Sequence, residues 1–199
     1  MDTEPGRPPE LLRGRGLVLA RWREADMPAL HTEVTASRRH LSPWLAWASD
    51  GSAAALAGFV RESRERWGRR ERFEYGIWSP ERGATLLGGV GLMARIGPGG
   101  LEIGYWVGER HTRQGVATRG TAALAAAAFA LPGVERLEIH HDEANLASSR
   151  VPAALGFRRV GVFPRAAAAA PGETGRDVRW RMRADEFPAS AAAAMARAR

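Results

Sequence analysis

The middle of the chain carries two extended apolar segments joined by a tight, glycine-rich turn. Thr85–Ile96 and Leu101–Val107 are rich in aliphatic residues, and the four residues between them read Gly-Pro-Gly-Gly. Two such segments separated by a short glycine-containing loop indicate a β-hairpin. A central hairpin limits the folds available to the chain, because both of its edges must be paired with other strands or covered.

Helical and extended patterns alternate on both sides of this hairpin, in the predicted order βααβββαβαββ. Strands that alternate with helices around an antiparallel hairpin indicate one mixed α/β sheet with helices on its faces. The prediction amounts to about seven strands and about four helices. Besides the hairpin, the predicted strands are Leu17–Arg23, Phe73–Trp78, Arg136–His140, Arg159–Pro164 and Asp177–Met182, and the predicted helices are Glu24–Ser37, Ser52–Gly68, Gly115–Leu131 and Asn145–Leu155.

The two ends of the chain differ in composition from the middle. Met1–Arg15 opens with an acidic, proline-rich stretch and is expected to be a flexible leader, while Ala184–Arg199 is expected to be an alanine-rich tail. The predicted domain is therefore residues 16–183. We see no apolar core of a signal peptide and no run approaching 18 apolar residues, so we expect a cytoplasmic protein with no membrane partner.

The basic excess is carried by a single residue type. The net charge is +7 and all 29 basic residues are arginine. Such an excess indicates a polyanionic partner. However, the arginines between residues 61 and 72 alternate with glutamates, which is typical of a solvated helix face, and no nucleic-acid-binding motif is present. We therefore expect no nucleic-acid partner.

The absence of two residue types excludes several chemistries. Without lysine the chain can form neither a P-loop lysine contact nor a Schiff base. Without cysteine it has no disulfide, no cysteine nucleophile and no cysteine-type zinc site.

A phosphate-binding pattern lies between the hairpin and the helix that follows it. His111–Thr118 reads His-Thr-Arg-Gln-Gly-Val-Ala-Thr, and its small residues Gly115 and Ala117 let a ligand approach the backbone closely. The first N–H groups of a helix lack intrahelical partners and attract anions. The alternative is an ordinary glycine-containing loop before a helix.

Two further motifs are weaker. Gly89–Ala94 fits the dinucleotide pattern G-x-G-x-x-A, but that pattern requires a following helix and the turn at residues 97–100 comes too soon. We interpret its glycines as strand residues. His140–Glu143 is rich in metal-ligating side chains, yet neighbouring strand residues point to opposite faces, so we expect no metal site.

Four motifs taken in order resemble the GNAT acetyltransferase superfamily. They are Glu102–Val107 (E-I-G-Y-W-V), the segment ending Gly115–Thr118, Asn145–Ser148 (N-x-x-S) and Leu155–Phe157 (L-G-F). Their spacing is similar to that of the subgroup that acetylates the N-termini of ribosomal proteins. Arg39–Trp47, with two tryptophans, is similar to a loop of the same subgroup. The resemblance covers about residues 17–182.

The resemblance implies a GNAT-like, mainly antiparallel sheet that splays open at its centre for acetyl-CoA. The backbone from Arg113 to Thr118 would hold the pyrophosphate, although Thr112 stands where the family usually has Arg or Gln. The pantetheine arm would pair with the strand edge at Tyr105–Val107. The implied cofactor-binding residues are Tyr105, Val107, Thr112, Arg113, Gln114, Gly115, Val116, Ala117, Thr118 and Asn145, and the implied substrate-binding residues are Trp44 and Trp47.

The resemblance also implies three catalytic groups. Glu102 would accept the proton of the acceptor amine, and the backbone N–H of Trp106 would bind the thioester oxygen. Many relatives use a tyrosine of the later helix as the proton donor to the thiolate, but Pro152 occupies that position here, so Ser148 is the expected donor. Without a cysteine, direct transfer in a ternary complex is favoured.

Each of these assignments has a simpler alternative. Glu102 could be a solvated strand carboxylate, and Asn145 and Ser148 could be local helix caps. Trp44 and Trp47 could be packing residues. The acceptor is expected to be a protein N-terminal α-amine, with a small-molecule amine or aminoglycoside, or an idle acyl-CoA-binding module, as alternatives. Arg38–Trp47 and Arg165–Asp177 are expected to decide the acceptor, and a homodimer remains open.

Overall fold

The computed structural model describes residues 6–80, 85–165 and 170–198, and shows one eight-stranded sheet. The fold class predicted from the sequence is confirmed, with one strand more than the seven expected. Part of the expected leader and part of the Arg165–Asp177 loop lie outside the described residues. The strands, which stand in the order β1-β2-β3-β4-β5-β6-β8-β7, are β1 (Leu11–Gly14), β2 (Leu17–Arg21), β3 (Arg72–Trp78), β4 (Leu86–Met93), β5 (Gly100–Val107), β6 (Arg136–Asp142), β7 (Arg158–Pro164) and β8 (Arg176–Arg183).

Helices cover both faces of the sheet. The four long helices expected from the sequence are present, and three short ones were not predicted. The long helices are α1 (Met27–Ala36), α4 (Ala53–Gly68), α5 (Val116–Phe129) and α6 (Leu146–Leu155), and the short ones are α2 (Arg38–Leu41), α3 (Trp47–Asp50) and α7 (Ala191–Arg197). Among the described residues, no helix combines the length and apolar character needed to cross a membrane.

The predicted hairpin is formed by β4 and β5, and the sheet opens on its far side. Gly88 pairs with Val107 at one end of the hairpin and Met93 with Glu102 at the other. By contrast, β5 pairs with β6 in parallel only from Gly100 to Ile103. Beyond Ile139 the residues of β6 pair with β8 alone, so β5 and β6 separate and leave the edge of β5 unpaired.

Two apolar cores lie on opposite faces of the sheet. One packs the sheet against α5 and contains Leu92, Ile103 and Leu124, which are almost fully buried. The other lies under α1 and α4 around Trp22 and Leu30. Because side chains alternate along a strand, β5 contributes to both cores, and its position between them is tightly fixed.

Strand glycines explain the dinucleotide-like pattern. Gly89 and Gly91 lie in the middle of β4, which continues to Met93 with no helix after it. A Cβ at Gly89 would stand 2.4 Å from Nε1 of Trp106, so the glycine makes room for that indole. The interpretation of these glycines as strand residues is confirmed.

Both terminal segments belong to the fold where the structure describes them. β1 pairs antiparallel with β2, and the Tyr75 hydroxyl donates a hydrogen bond to the Pro9 carbonyl at 2.9 Å. At the other end Ala192 of α7 is fully buried in the core that contains α5. The fold therefore extends further toward both ends of the chain than the predicted domain of residues 16–183. Local patterns did not indicate this, because a short edge strand and an alanine-rich helix gain their stability only from tertiary contacts.

Candidate active site

A single long cleft of about 1620 Å³ runs from the N-terminus of α5, past the opening between β5 and β6, to the tryptophan-bearing segment. It brings together all of the predicted site residues except Gln114. Those lining it are Trp44, Trp47, Glu102, Tyr105, Trp106, Val107, Thr112, Arg113, Gly115, Val116, Ala117, Thr118, Asn145 and Ser148. Residues far apart in the sequence therefore share one site, as the order of the motifs predicts.

The N-terminus of α5 presents unpaired backbone N–H groups to the cleft. Gly115 is the N-cap residue, with φ of +72° and no side-chain cap. The first bond of the helix runs from the Arg119 N–H to the Gly115 carbonyl, so the N–H groups of Val116, Ala117 and Thr118 have no intrahelical partner. These donors and the helix dipole make this end of the cleft suited to an anion such as a phosphate.

The side chains of the preceding loop mostly brace the loop itself. Thr112 Oγ1 donates to the Glu109 carbonyl at 2.8 Å, and Gln114 Nε2 donates to the Arg110 carbonyl at 3.0 Å. Arg119 donates to the carbonyls of Arg15 and Gln114. Gln114 was expected to contribute its backbone N–H, and the residue does not line the cleft. Arg113 is exposed and has no partner among the described residues.

A buried glutamate holds this loop against α1, which the sequence did not indicate. Glu33 is 2% exposed and accepts hydrogen bonds from Arg110 and, at 3.1 Å, from the Ser37 hydroxyl. Ser37 in turn accepts the Glu109 N–H at 2.9 Å. A Cβ at Gly108 would stand 1.9 Å from the Glu33 carboxylate. The only sequence signal was an acidic residue on the apolar face of a predicted helix.

The direction of the N–H groups on β5 corrects the assignment of Trp106 as the donor to the thioester oxygen. The Gly108 N–H donates to the Leu87 carbonyl at 2.9 Å, and the register of β4 and β5 continues without a shift from Val107 to Glu102. Successive N–H groups of a strand point in opposite directions, so the Trp106 N–H faces Gly89 on β4. The N–H groups that face the opening are those of Tyr105 and Val107, and Trp106 is wrong as the oxyanion donor.

Ser148 and Tyr105 form a hydroxyl pair beside the opening. The Tyr105 hydroxyl donates to the Ser148 carbonyl at 2.8 Å and lies 3.0 Å from the Ser148 Oγ. Burial raises the pKa of Tyr105 well above its usual range, although the contact with Ser148 opposes this. Tyr105 therefore remains protonated at neutral pH. The Ser148 hydroxyl is not a helix cap, since that role belongs to Asn145, whose side chain accepts the Ser148 N–H at 3.1 Å.

Pro152 accounts for the bond between Tyr105 and the Ser148 carbonyl. A proline inside a helix lacks the N–H that would donate to the carbonyl four residues earlier, and that carbonyl is Ser148. The phenol of Tyr105 donates to it instead. Pro152 in α6 is thus accompanied by a tyrosine on β5 that donates to the carbonyl left free.

Glu102 is buried and ion-paired rather than solvated. It is 4% exposed, and Arg95 donates to both of its oxygens, with Nε at 2.8 Å. The hydrogen bond to Glu102 raises the pKa of Arg95, despite its partial burial, so the guanidinium stays charged. His140 Nδ1 lies 3.6 Å from the same carboxylate. The alternative of a solvated strand carboxylate is therefore wrong.

The His140–Glu143 segment uses its side chains in protein contacts. His141 Nδ1 lies 2.8 Å from the Asp142 carbonyl, and its Nε2 lies 3.0 Å from the Trp180 indole N–H. Asp142 accepts the backbone N–H groups of Ala144, Thr174 and Gly175. Despite burial, these hydrogen bonds lower the pKa of Asp142 to about 2. Asp142 therefore organises the loop between β7 and β8, whereas the ring of His141 contacts Trp180 in β8.

The far end of the cleft is walled by aromatic and acidic side chains. Trp47 is 40% exposed, stacks on Phe59 with centroids 6.3 Å apart, and meets Trp106 edge-on at 5.8 Å. Glu74 lines the same end, and burial raises its pKa. The Gly172 N–H donates to the Pro43 carbonyl at 2.8 Å. The two segments expected to decide the acceptor therefore touch each other at the end of the cleft.

Comparisons with known proteins agree with this architecture. The family model described as an acetyltransferase (GNAT) domain matches residues 16–158. The fold is similar to that of Mycobacterium smegmatis RimJ in complex with CoA-disulfide, at a TM-score of 0.78 and 24% identity over 96% of this chain and 94% of that chain.

Two further solved structures share the fold. RimL, a ribosomal L7/L12 α-N-protein acetyltransferase in complex with coenzyme A, has a TM-score of 0.79 and 22% identity over 87% of this chain and 98% of that chain. The microcin C7 self-immunity acetyltransferase MccE, in complex with acetyl-CoA and AMP, has a TM-score of 0.76 and 16% identity over 84% of this chain and 92% of that chain. No curated protein matches the sequence significantly.

Proposed function

The chain belongs to the GNAT acetyltransferase domain family, and on this premise we propose that it transfers the acetyl group of acetyl-CoA to the α-amine of a protein N-terminus. One observation carries the proposal: the free N–H groups at the start of α5 and the unpaired edge of β5 open into the same cleft. The first fits the phosphates of a CoA, and the second fits the amide groups of its pantetheine arm. The site of reaction expected from the sequence is the cytoplasm.

Backbone N–H groups hold most of the acetyl-CoA at its end of the cleft. The N–H groups of Gly115 to Thr118 hold the pyrophosphate, and the unpaired guanidinium of Arg113 supplies the charge that Thr112 lacks. The pantetheine pairs with the backbone of Tyr105 and Val107, whose N–H groups face the opening. One of these two N–H groups, rather than that of Trp106, binds the thioester oxygen. A fixed donor of this kind typically contributes about 2.7–4 kcal/mol to the transition state.

The acyl transfer is direct. The amine nitrogen loses a proton as it bonds the acetyl carbon, and the carbon–sulfur bond breaks. The thiolate receives a proton from the Ser148 hydroxyl, which the protonated Tyr105 holds in place and which regains a proton from water. Glu102, on the acceptor side, provides negative charge where the attacking amine becomes positive. An acyl-cysteine intermediate is excluded, since the sequence holds no cysteine.

The acceptor end supports an amine that arrives with a positive charge. Glu62, Glu65 and Glu74 line it together with Trp44 and Trp47. Arg66 pairs with Glu62 and Arg72 lies 3.7 Å from Glu74, which leaves Glu65 as the carboxylate with no ion pair among the described residues. Carboxylates attract a protonated amine, and exposed tryptophans favour both cations and the apolar side chains of a peptide. RimL, which shares the fold, is a ribosomal L7/L12 α-N-protein acetyltransferase, and this supports the choice of a protein N-terminus.

The direct test is acetyl-CoA turnover with a panel of short peptides that carry free or blocked N-termini. We expect CoA release with the free peptides only. A G115A variant should weaken acetyl-CoA binding because alanine disfavours a φ of +72°. G68A is the matched control, since a Cβ at Gly68 meets no atom within 4 Å. No peptide-dependent release by the wild-type protein would refute the proposal.

Two other outcomes of the same assay would reassign the protein. Preferential turnover of a small amine or an aminoglycoside would make it a small-molecule acetyltransferase, an activity that the acidic wall of the cleft would also suit. Tight acetyl-CoA binding without turnover of any acceptor would make it an acyl-CoA-binding module.

A further inference from the structure

Glu102 is poorly placed to act as the proton acceptor on its own. Both of its oxygens already receive hydrogen bonds from Arg95, and its side chain is 6% exposed. A general base needs a lone pair that the amine can reach. The bidentate pair with Arg95 holds the carboxylate as a fixed negative charge instead.

His140 lies between two carboxylates at the same point of the cleft. Its Nε2 is 2.7 Å from the Glu138 carboxylate, and its Nδ1 is 3.6 Å from that of Glu102. Hydrogen bonds from His140 and Arg181 lower the pKa of Glu138, outweighing its partial burial, so Glu138 is an ionised acceptor. The Nε2 of His140 therefore carries the hydrogen and donates it to Glu138.

That hydrogen bond leaves the other ring nitrogen available. The distance of 3.6 Å between Nδ1 and Glu102 is too long for a hydrogen bond. Among the described residues no other group bonds Nδ1, and His140 lines the cleft. Its neighbour His141 differs, because both of its ring nitrogens are engaged and burial lowers its pKa.

The position of His140 along β6 places it at the reacting end of the opening. Ile139 is the last residue of β6 that pairs with β5, so His140 is the first residue beyond the point where the strands separate. On the other side of that point lie Tyr105 and Val107, whose N–H groups face the gap. An acetyl group bound there would lie between the edge of β5 and His140.

We propose that His140 is the general base, a refinement that rests on the proposed function. Nδ1 takes a proton from the amine as its nitrogen bonds the acetyl carbon, while the carbon–sulfur bond breaks and the thiolate is protonated from Ser148. The imidazolium lies between Glu102 and Glu138, and it then returns its proton to water, from which Ser148 regains one. Glu102, fixed by Arg95, is a positioning residue for this charge.

The other charged groups near His140 contact other side chains, among them Asp177 of β8, which lies 3.2 Å from Arg165. Arg95 faces Glu102, and Arg181 and Arg136 face Glu138, so each carboxylate is paired on its far side. On β8 the Cα partner of His140 is Arg179, whose guanidinium lies over the Phe163 ring at 4.5 Å. Asp142, the next residue of β6 on this face, is turned to the loop that follows β7.

The test measures kcat for H140Q with saturating acetyl-CoA and peptide between pH 5.5 and 9. Gln can still donate to Glu138 but cannot take the proton, so kcat should fall about 10²-fold and its acidic limb should disappear. H31Q, at an exposed position on α1 outside the cleft, is the matched control and should match the wild type. Titration with CoA shows whether H140Q keeps its fold, in which case its affinity should be unchanged.

A second variant keeps the proposal testable if H140Q is unstable. In E138Q the Nε2–H of His140 loses its carboxylate acceptor, so kcat should fall while the affinity for CoA stays unchanged and the acidic limb remains. The acidic limb of kcat is measured with two peptides whose amines differ in pKa. A limb caused by titration of the peptide amine would shift between the two peptides, whereas a limb caused by the enzyme would not. A kcat for H140Q within about twofold of the wild type, with an unchanged profile, would overturn the role of His140. Absence of turnover by the wild type would instead defeat the proposed function.

Discussion

The two ends of the cleft are built from different parts of the polypeptide. At the α5 end the donors are backbone N–H groups, whose positions depend on Gly115 and on the bracing of the loop by Glu33. At the other end the lining consists of side chains, chiefly Trp47, Glu74 and His140. Backbone donors persist through most substitutions, whereas side chains change with each one. The α5 end therefore tolerates a departure such as Thr112, and the acceptor end is where specificity resides.

Substitution of Glu102 should distinguish the two ends of the cleft most clearly, because it should have the largest effect on kcat. In E102Q the imidazolium of His140 loses a neighbouring carboxylate and Arg95 loses its charged partner, so kcat should fall about 10²-fold. Acetyl-CoA affinity should stay the same, because the α5 end is untouched. Steady-state kinetics and titration with CoA measure the two quantities. E71Q, which changes an exposed carboxylate, is the control. A loss of CoA affinity equal to the loss of kcat would contradict the division between the ends.

The converse effect is expected at Gly115. In G115A the positive φ of +72° becomes costly by about 1–2 kcal/mol. The dissociation constant of acetyl-CoA should therefore rise about tenfold, with kcat unchanged at saturation. Titration calorimetry on G115A and G68A measures it, and equal affinities in the two variants would show that the N-terminus of α5 does not hold the phosphates.

A smaller effect is expected at the aromatic wall. In W47A the stacking on Phe59 and the edge contact with Trp106 are lost. Such contacts are worth about 1 kcal/mol each, so the KM for the peptide should rise about fivefold while the KM for acetyl-CoA does not move. If both KM values rose together, Trp47 would be a packing residue of the whole cleft rather than part of the acceptor end.

The smallest effect is expected at Tyr105 and concerns stability. Y105F leaves the Ser148 carbonyl without its donor and should lower the free energy of unfolding by about 1 kcal/mol. In the P152A background a backbone N–H can donate to that carbonyl, so the same change should cost less. Urea unfolding of the four proteins of this double-mutant cycle gives the coupling. Additive losses would mean that Pro152 and Tyr105 do not compensate for each other.

The sequence predicted most of the strands and long helices, because their patterns are local. The motifs also marked the cleft well, since they lie at strand ends and helix starts that the sheet brings together. The direction of the Trp106 N–H could not be predicted, because it depends on the register with β4. The clamp of Arg95 on Glu102 likewise follows from the geometry of the hairpin.

Long-range contacts account for the other omissions. Glu33 reaches a loop about 75 residues further along the chain, and the edge strand β1 is stable only beside β2. His140 was considered only as a metal ligand, and rejected for the alternation of its neighbours. The side chains of His140 and His141 do point to opposite faces of the sheet. For that reason Nδ1 of His140 has no hydrogen bond among the described residues, whereas both ring nitrogens of His141 are bonded.

The short parallel ladder between β5 and β6 also bears on how the protein folds. Strands β1 to β5 pair with one another in the order of the sequence, and β6 to β8 form a second group. Only four residues on each strand join the two groups, across the segment that contains α5. Its paired residues lie farther apart in the sequence than those of the β4–β5 hairpin, and a longer loop costs more to close. This ladder should therefore form after the hairpin, and its amide protons should exchange before those of the hairpin.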